Sequence, residues 1–133
     1  MAEHPATKAP GRLSRILCLD DFEAEARRHL PRPVFEYVAG GVEDNASREG
    51  NRAAFRDWEF VPRVLAGVKN RSTATALFGH SFAAPFGVAP IGIAALYAYR
   101  GDLVLARAAK EANLPMAMSC SSLIRLEDVL AES

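Results

Sequence analysis

At 133 residues, half of them apolar and 24% charged, the chain has the composition of a globular protein and the length of one domain. Sixteen basic residues balance sixteen acidic ones. The basic pairs Arg27-Arg28 and Lys69/Arg71 are too sparse for a phosphate-tracking stripe, which argues against a nucleic-acid partner. Cys18 and Cys120 stand far apart with no CxxC or Cys/His spacing. This argues against a disulfide framework or a zinc site and for two reduced thiols in a cytoplasmic protein.

Residues 1–18 read as a disordered leader. Met1 to Arg15 is rich in Pro, Ala, Lys and Arg and lacks a secretory apolar core, and a basic, acid-poor organelle-targeting peptide is the alternative for the same residues. Residues 19–58 read as a helical cap. Asp20 followed by Glu23 is a capping-box-like start, with Phe22, Ala26 and Leu30 at helical spacing and Arg27, Arg28 and His29 at the cationic end. Pro31 and Pro33 end that helix, and Pro33 opens the next, Val34 to Ala39, which stops at Gly40-Gly41. A third helix is expected from Ala46 to Asp57, capped by Asp44 or Asn45, with Ala53, Ala54 and Phe55 facing inward and Glu43, Arg48 and Glu49 on a solvated face.

Residues 59–85 change texture. Phe60 to Leu65 reads as extended around Pro62, and the alternating run Thr73 to Leu77 leads into Phe78-Gly79-His80-Ser81-Phe82, which reads as a turn between two short strands. Residues 86–133 alternate strand and helix. Phe86 to Ala89 and Pro115 to Ser119 read as strands buried on both faces. Asp102 to Ala112 reads as a helix carrying Leu105, Ala108, Ala109 and Ala112 on one side, Asn113 stops it, and Leu123 to Leu130 is a second helix. The stretch from Phe82 to Tyr99 is broken by Pro85, Gly87, Pro90 and Gly92, so it suits a buried strand and loop and no membrane span. Trp58 and the phenylalanines are most simply core, and Cys120 a small buried filler. His4, His29 and His80 receive no role. A βαβα order makes the two strands parallel neighbours. Two parallel strands leave faces and edges uncovered, so the expected fold is α/β but incomplete.

The segment Phe35-Glu36-Tyr37-Val38-Ala39-Gly40-Gly41, then Glu43-Asp44 and Asn51-Arg52-Ala53-Ala54-Phe55, resembles the start of the FMN-dependent 2-hydroxy-acid oxidases and dehydrogenases. The family includes glycolate oxidase, lactate oxidase and dehydrogenase, and mandelate dehydrogenase. The resemblance continues through Pro62-Arg63-Val64-Leu65, Ala89-Pro90-Ile91-Gly92, Ala106-Arg107-Ala108-Ala109 and Met118-Ser119, covering about residues 19 to 131 in one order. No single piece is specific; their order and spacing are. It implies a helical cap followed by the first two βα units of a (β/α)8 barrel, with FMN at the carboxyl ends of the strands.

The same resemblance assigns residues. Tyr37 matches a tyrosine that hydrogen-bonds the substrate carboxylate, as a phenol can in a dry pocket; the bland alternative is a cap-helix tyrosine with its hydroxyl at the surface. Pro90, Ile91 and Gly92 match the turn lying against the flavin, where backbone N–H groups steady charge; an ordinary strand-to-helix turn is the alternative. Ser119 matches a hydroxyl directed at the isoalloxazine edge, and could equally cap its own loop. Tyr97 and Tyr99 depart from the family's proline-led turn, and Ser121 stands where some relatives carry an aromatic, so both bear on substrate choice.

The implied reaction is oxidation of a small 2-hydroxy acid to a 2-oxo acid with hydride transfer to FMN. The catalytic histidine, its aspartate, the carboxylate-binding arginines and a lysine belong to later strands, beyond Ser133. The expected partners are therefore the substrate and the remainder of the barrel or a partner chain, with a homo-oligomer and a peripheral membrane or organellar site also open. The alternatives are a non-catalytic fragment that needs a partner, and an FMN barrel of other chemistry such as type 2 isopentenyl diphosphate isomerase. The Tyr37 segment speaks against the last.

Overall fold

A computed structural model describes Gly11 and residues 13–132. The chain divides into two compact units, Met1–Arg52 and Ala53–Ser133, taken here in turn. Of the expected leader, residues 1–10 and 12 lie outside the described residues.

In the first unit Leu13–Arg15 form a single 3-10 turn. Helix α1 follows at Asp21–His29, α2 at Arg32–Ala39 and α3 at Ala46–Ala53. The start of α1 differs from the capping box. Asp20 already has helical dihedrals (φ −67°, ψ −24°) and makes no cap bond, and its carboxylate pairs with Arg52 at 2.7 Å. The adjacent Asp21 secures the chain instead, accepting from the backbone N–H of Leu17 at 2.8 Å and of Cys18 at 3.1 Å. These donors hold its carboxyl below the usual range. Leu30 turns extended before Pro31, as the residue preceding a proline should.

Helix α2 starts one residue before Pro33 and ends at Gly40, whose backbone is extended (φ −76°, ψ 152°), so the stop is not a left-handed cap. Phe35 is 4% exposed under the Arg27 guanidinium, which lies 4.5 Å from its ring centroid. Asp44 accepts from the Ala46 N–H at 3.1 Å, Asn45 from the Gly41 N–H at 2.6 Å, and Arg48 donates to the Ala39 carbonyl at the end of α2. Arg48 therefore ties two helices together, which the solvated-face reading missed.

In the second unit Ala54–Asp57 form a 3-10 turn where the third helix was expected to continue. Ala53, Ala54 and Phe55 do not face inward; all three are exposed, Phe55 at 82%. Strands β1 (Thr75–Leu77) and β2 (His80–Phe82) pair antiparallel with Thr75 opposite Phe82 and Leu77 opposite His80. Phe78 (φ 49°) and Gly79 (φ 81°) make the two-residue turn, both left-handed, which matches strand twist and suits Gly at the second position.

The expected parallel strands contract to one bridge, Val88 to Met116, closed by Val88 N–H to the Pro115 carbonyl and Ala117 N–H to the Val88 carbonyl, each 2.9 Å. A Cβ on Gly87 would fall 2.2 Å from the Pro115 carbonyl oxygen, so this approach requires glycine. Between them run the short helix α4 (Ala94–Tyr97), which sequence reading did not foresee, and α5 (Gly101–Glu111); α6 (Leu126–Leu130) follows and is shorter than Leu123 to Leu130. Asn113 (φ 50°) stops α5 as expected. Its N–H reaches the Lys110 carbonyl at 3.0 Å and the Leu114 N–H reaches that of Ala109 at 2.8 Å.

The buried face of α5 is Asp102, Leu103, Ala106 and Ala109, one step round from the expected Leu105, Ala108, Ala109 and Ala112. Leu103 and Ala106 pack with Val129, and Met116, Met118 and Ile124 lean on them. The strand segments are not buried on both faces: Phe86 is 66% exposed and Ala89 is exposed. Trp58 (83%), Phe60 (102%) and Phe78 (92%) are not core, and Cys120 is exposed, not a filler. A single bridge with one covering layer of helices has little apolar interior to offer these side chains.

Candidate functional site

Val88 and Met116 lie side by side in parallel, so the chain leaving each turns at the same end of the pair. The first turn is Pro90-Ile91-Gly92 and the second is Ser119 to Ser122. They meet. Ile93 N–H donates to the Ser121 carbonyl at 3.0 Å, and a Cβ on Gly92 would sit 3.9 Å from Ser119 Oγ and 3.7 Å from Ser121 Cβ. Pro90 and Ile91 are exposed and Gly92 and Ser119 half-buried. The structure thus brings four of the five sequence-assigned residues to one edge of the second unit. Tyr37 belongs to the first unit, on α2, and is 68% exposed.

Ser119 Oγ accepts from the Ser121 N–H at 3.1 Å, the loop-capping role weighed as its bland alternative. That bond uses a lone pair and leaves the hydroxyl proton, for which the described residues hold no acceptor. Among the described residues nothing accepts the Ile91 or Gly92 N–H either. Room over Gly92 is ordinary and its backbone has no positive φ, so neither conformation nor packing within the chain demands glycine there. Three donors on one edge, one of them on a glycine, make a surface suited to a flat ligand with several acceptor atoms.

Two supporting bonds had no sequence signal. Tyr97 Oη donates to the Gly92 carbonyl at 2.9 Å, and Ser122 Oγ donates to Asp102 Oδ2 at 2.9 Å while accepting from the Ile124 N–H at 3.0 Å. Asp102 is 1% exposed, and this bond fastens the second turn to the start of α5. Tyr99, the other departure from the proline-led turn, is 89% exposed. A separate apolar groove of about 710 Å³, lined by Leu77, Phe82, Val88, Ala109 and Met116 among others, includes none of the assigned residues. Among the described residues no group of His, Cys, Asp and Glu is placed to hold a metal, and no helix is long and apolar enough to cross a membrane.

A parallel bridge whose two segments are joined through helices is the pattern of an α/β protein, and turns converging at one end of such a pair are where such folds put ligands. Residues 26–133 match the family described as FMN-dependent dehydrogenase, and the chain belongs to that family. It is 37% identical over 118 residues to an L-lactate dehydrogenase of Pseudomonas syringae pv. syringae, covering 89% of this chain and 31% of that protein. It is 33% identical over 111 residues to the (S)-mandelate dehydrogenase of Pseudomonas putida, covering 84% and 28%. Among solved structures, a mandelate oxidase matches with a TM-score of 0.80 at 34% identity over 86% of this chain and 33% of that one. A soluble mutant of the membrane-associated (S)-mandelate dehydrogenase from Pseudomonas putida matches with a TM-score of 0.78 at 34% identity, over 85% and 32%. These neighbours are TIM-barrel flavoenzymes, and a partial barrel fits the match. The chain spans about a third of the length of the relatives it matches.

Proposed function

We propose that this chain forms the near wall of the flavin site in an FMN-dependent oxidoreductase that converts a small 2-hydroxy acid to a 2-oxo acid. The helical segments of residues 19–58 act as the cap, 59–85 lead in, and 86–133 supply the first two βα units of the barrel. The observation that carries this reading is the meeting of the Pro90-Ile91-Gly92 turn with Ser119 at the end of the Val88–Met116 bridge, with unused donors on both.

The residues present fit FMN. The Ile91 and Gly92 N–H groups and the Ser119 hydroxyl suit the nitrogen- and oxygen-bearing edge of an isoalloxazine, and Gly92, with no side chain, lets a ring approach its backbone. When bound, the cofactor supplies an acceptor for the hydride equivalent leaving the substrate's Cα. This chain's residues orient and exclude water: the two turns hold the ring edge, and Tyr37 donates to the substrate carboxylate. The proton of the hydroxy acid is taken by a residue outside this chain.

Exposed apolar side chains support a second clause. Phe60 and Leu65 (each 102%), Leu77 (42%) and Phe86 (66%) need an apolar surface, which the remainder of the barrel or a partner chain supplies, so this chain by itself is inactive. The test is reconstitution with FMN, of the complete protein and of this chain alone, followed by anaerobic addition of lactate, glycolate and mandelate. The complete protein should take up one flavin and bleach with one of these acids, while this chain alone does neither. Flavin uptake without bleaching by any hydroxy acid would return the isomerase-type alternative.

A further inference from the structure

One peptide of the turn after the first strand is held at both ends. The Gly92 carbonyl accepts from Tyr97 Oη at 2.9 Å, and the N–H of the same peptide, on Ile93, donates to the Ser121 carbonyl at 3.0 Å. Tyr97 reaches the carbonyl from the last residue of α4, half-buried, so the bond is sheltered from water. Ile93 sits at φ 46° and ψ 35°, a left-handed conformation that a β-branched residue adopts only where its surroundings enforce it. The two bonds supply that enforcement. They fix ψ of Gly92 and φ of Ile93, and through them the direction in which Ile91 and Gly92 present their unused N–H groups.

We infer that Tyr97 is a positioning residue: its hydroxyl, acting through the Gly92 carbonyl, sets the 91–92 backbone against the flavin edge. This rests on the reading of that turn given above. Tyr97 acts through the peptide and need not touch the cofactor. Its ring is half-buried and its hydroxyl reaches the Gly92 carbonyl, so the two can be varied separately.

Tyr97→Phe in the FMN-loaded complete protein separates them, since it keeps the ring and removes the hydroxyl that donates to the Gly92 carbonyl. Loss of one hydrogen bond should weaken FMN binding by roughly five- to tenfold. The visible circular dichroism of the bound flavin, which reports the asymmetry imposed on the ring, should change with it. A ¹³C label on the Gly92 carbonyl should move upfield in the variant, which reads the bond itself with or without flavin. A role confined to the fold would lower the melting temperature and leave the flavin spectrum and affinity at wild-type values. That result, or an unmoved carbonyl resonance, overturns the inference while the flavin reading stands. A complete wild-type protein that takes up no FMN overturns both.

Discussion

Ser119 serves two ends with one oxygen. Its lone pair closes the loop through the Ser121 N–H, and its proton is left for the ligand with acceptor atoms proposed there. Sequence reading treated those roles as competing alternatives; a hydroxyl, being both donor and acceptor, can hold both. Tyr37 stands differently, assigned by resemblance and found 68% exposed. If it anchors the substrate carboxylate, Tyr37→Phe removes a charge-assisted bond and should cost about ten- to a hundredfold in kcat/KM toward the 2-hydroxy acid, with FMN affinity unchanged. Steady-state kinetics and a flavin titration check this together, and wild-type kcat/KM would return Tyr37 to the surface role.

The stop of α5 and the presence of a hairpin near Phe78-Gly79 were the most legible elements, because their signals are local. Phe78-Gly79 between two short alternating runs is decided by backbone conformation alone, and Asn113 after α5 is one of the few residue types that enter the left-handed region readily. Asn113 also joins α5 to the hairpin, since the Ala83 N–H reaches its carbonyl at 2.9 Å. Asn113→Ala should cost about 1 kcal/mol, while Asn113→Gly should stay close to wild type, as measured by denaturant unfolding. Equal effects of the two would mean that the amide side chain, not the backbone conformation, matters. The face of α5 was harder to read. With alanines at 106, 108, 109 and 112, hydrophobicity is nearly level round the helix, and tertiary contacts to Val129 and Met116 choose the buried side. The capping of α1 failed for a related reason: Asp20 and Asp21 are adjacent acids, and only the fold shows which one the backbone donors reach.

The turn just after α6 is tied to α5 by a two-pronged ion pair, Arg107 Nε and Nη2 to Glu132 at 2.7 and 2.6 Å. The hydrogen bonds from Arg107, with its charge, hold the Glu132 carboxyl below its usual range. A carboxyl depressed in the folded state contributes stability above the ordinary carboxylate range and loses it as pH falls through the folded value. The attachment of α6 should therefore loosen on acidification below that range and with added salt, the loss being modest because the pair is solvated. Hydrogen exchange at the α6 amides, followed against pH, checks this; Glu132→Gln should flatten the dependence.

For the whole molecule, the parallel pairing of the segments at Val88 and Met116 was readable, while α4 and the exposure of the aromatic residues were not. Trp58, Phe60 and Phe86 read as core because large apolar side chains are normally buried, and that expectation assumes enough structure to bury them. With one parallel bridge and about a third of its relatives' length, this chain leaves them in water. It should accordingly bind the dye ANS when isolated, and the same side chains should lose that signal in the complete protein. Weak dye binding by the isolated chain would point to self-association covering the same surface.

The turns at residues 90–92 and 119–122 are proposed to form one wall of a flavin site. The most direct test is a crystal structure of the complete protein loaded with FMN. The claim predicts the backbone N–H groups of Ile91 or Gly92 and the Ser119 hydroxyl within hydrogen-bond distance of the ring's polar edge. A ring bound elsewhere, with both turns open to solvent, would contradict it.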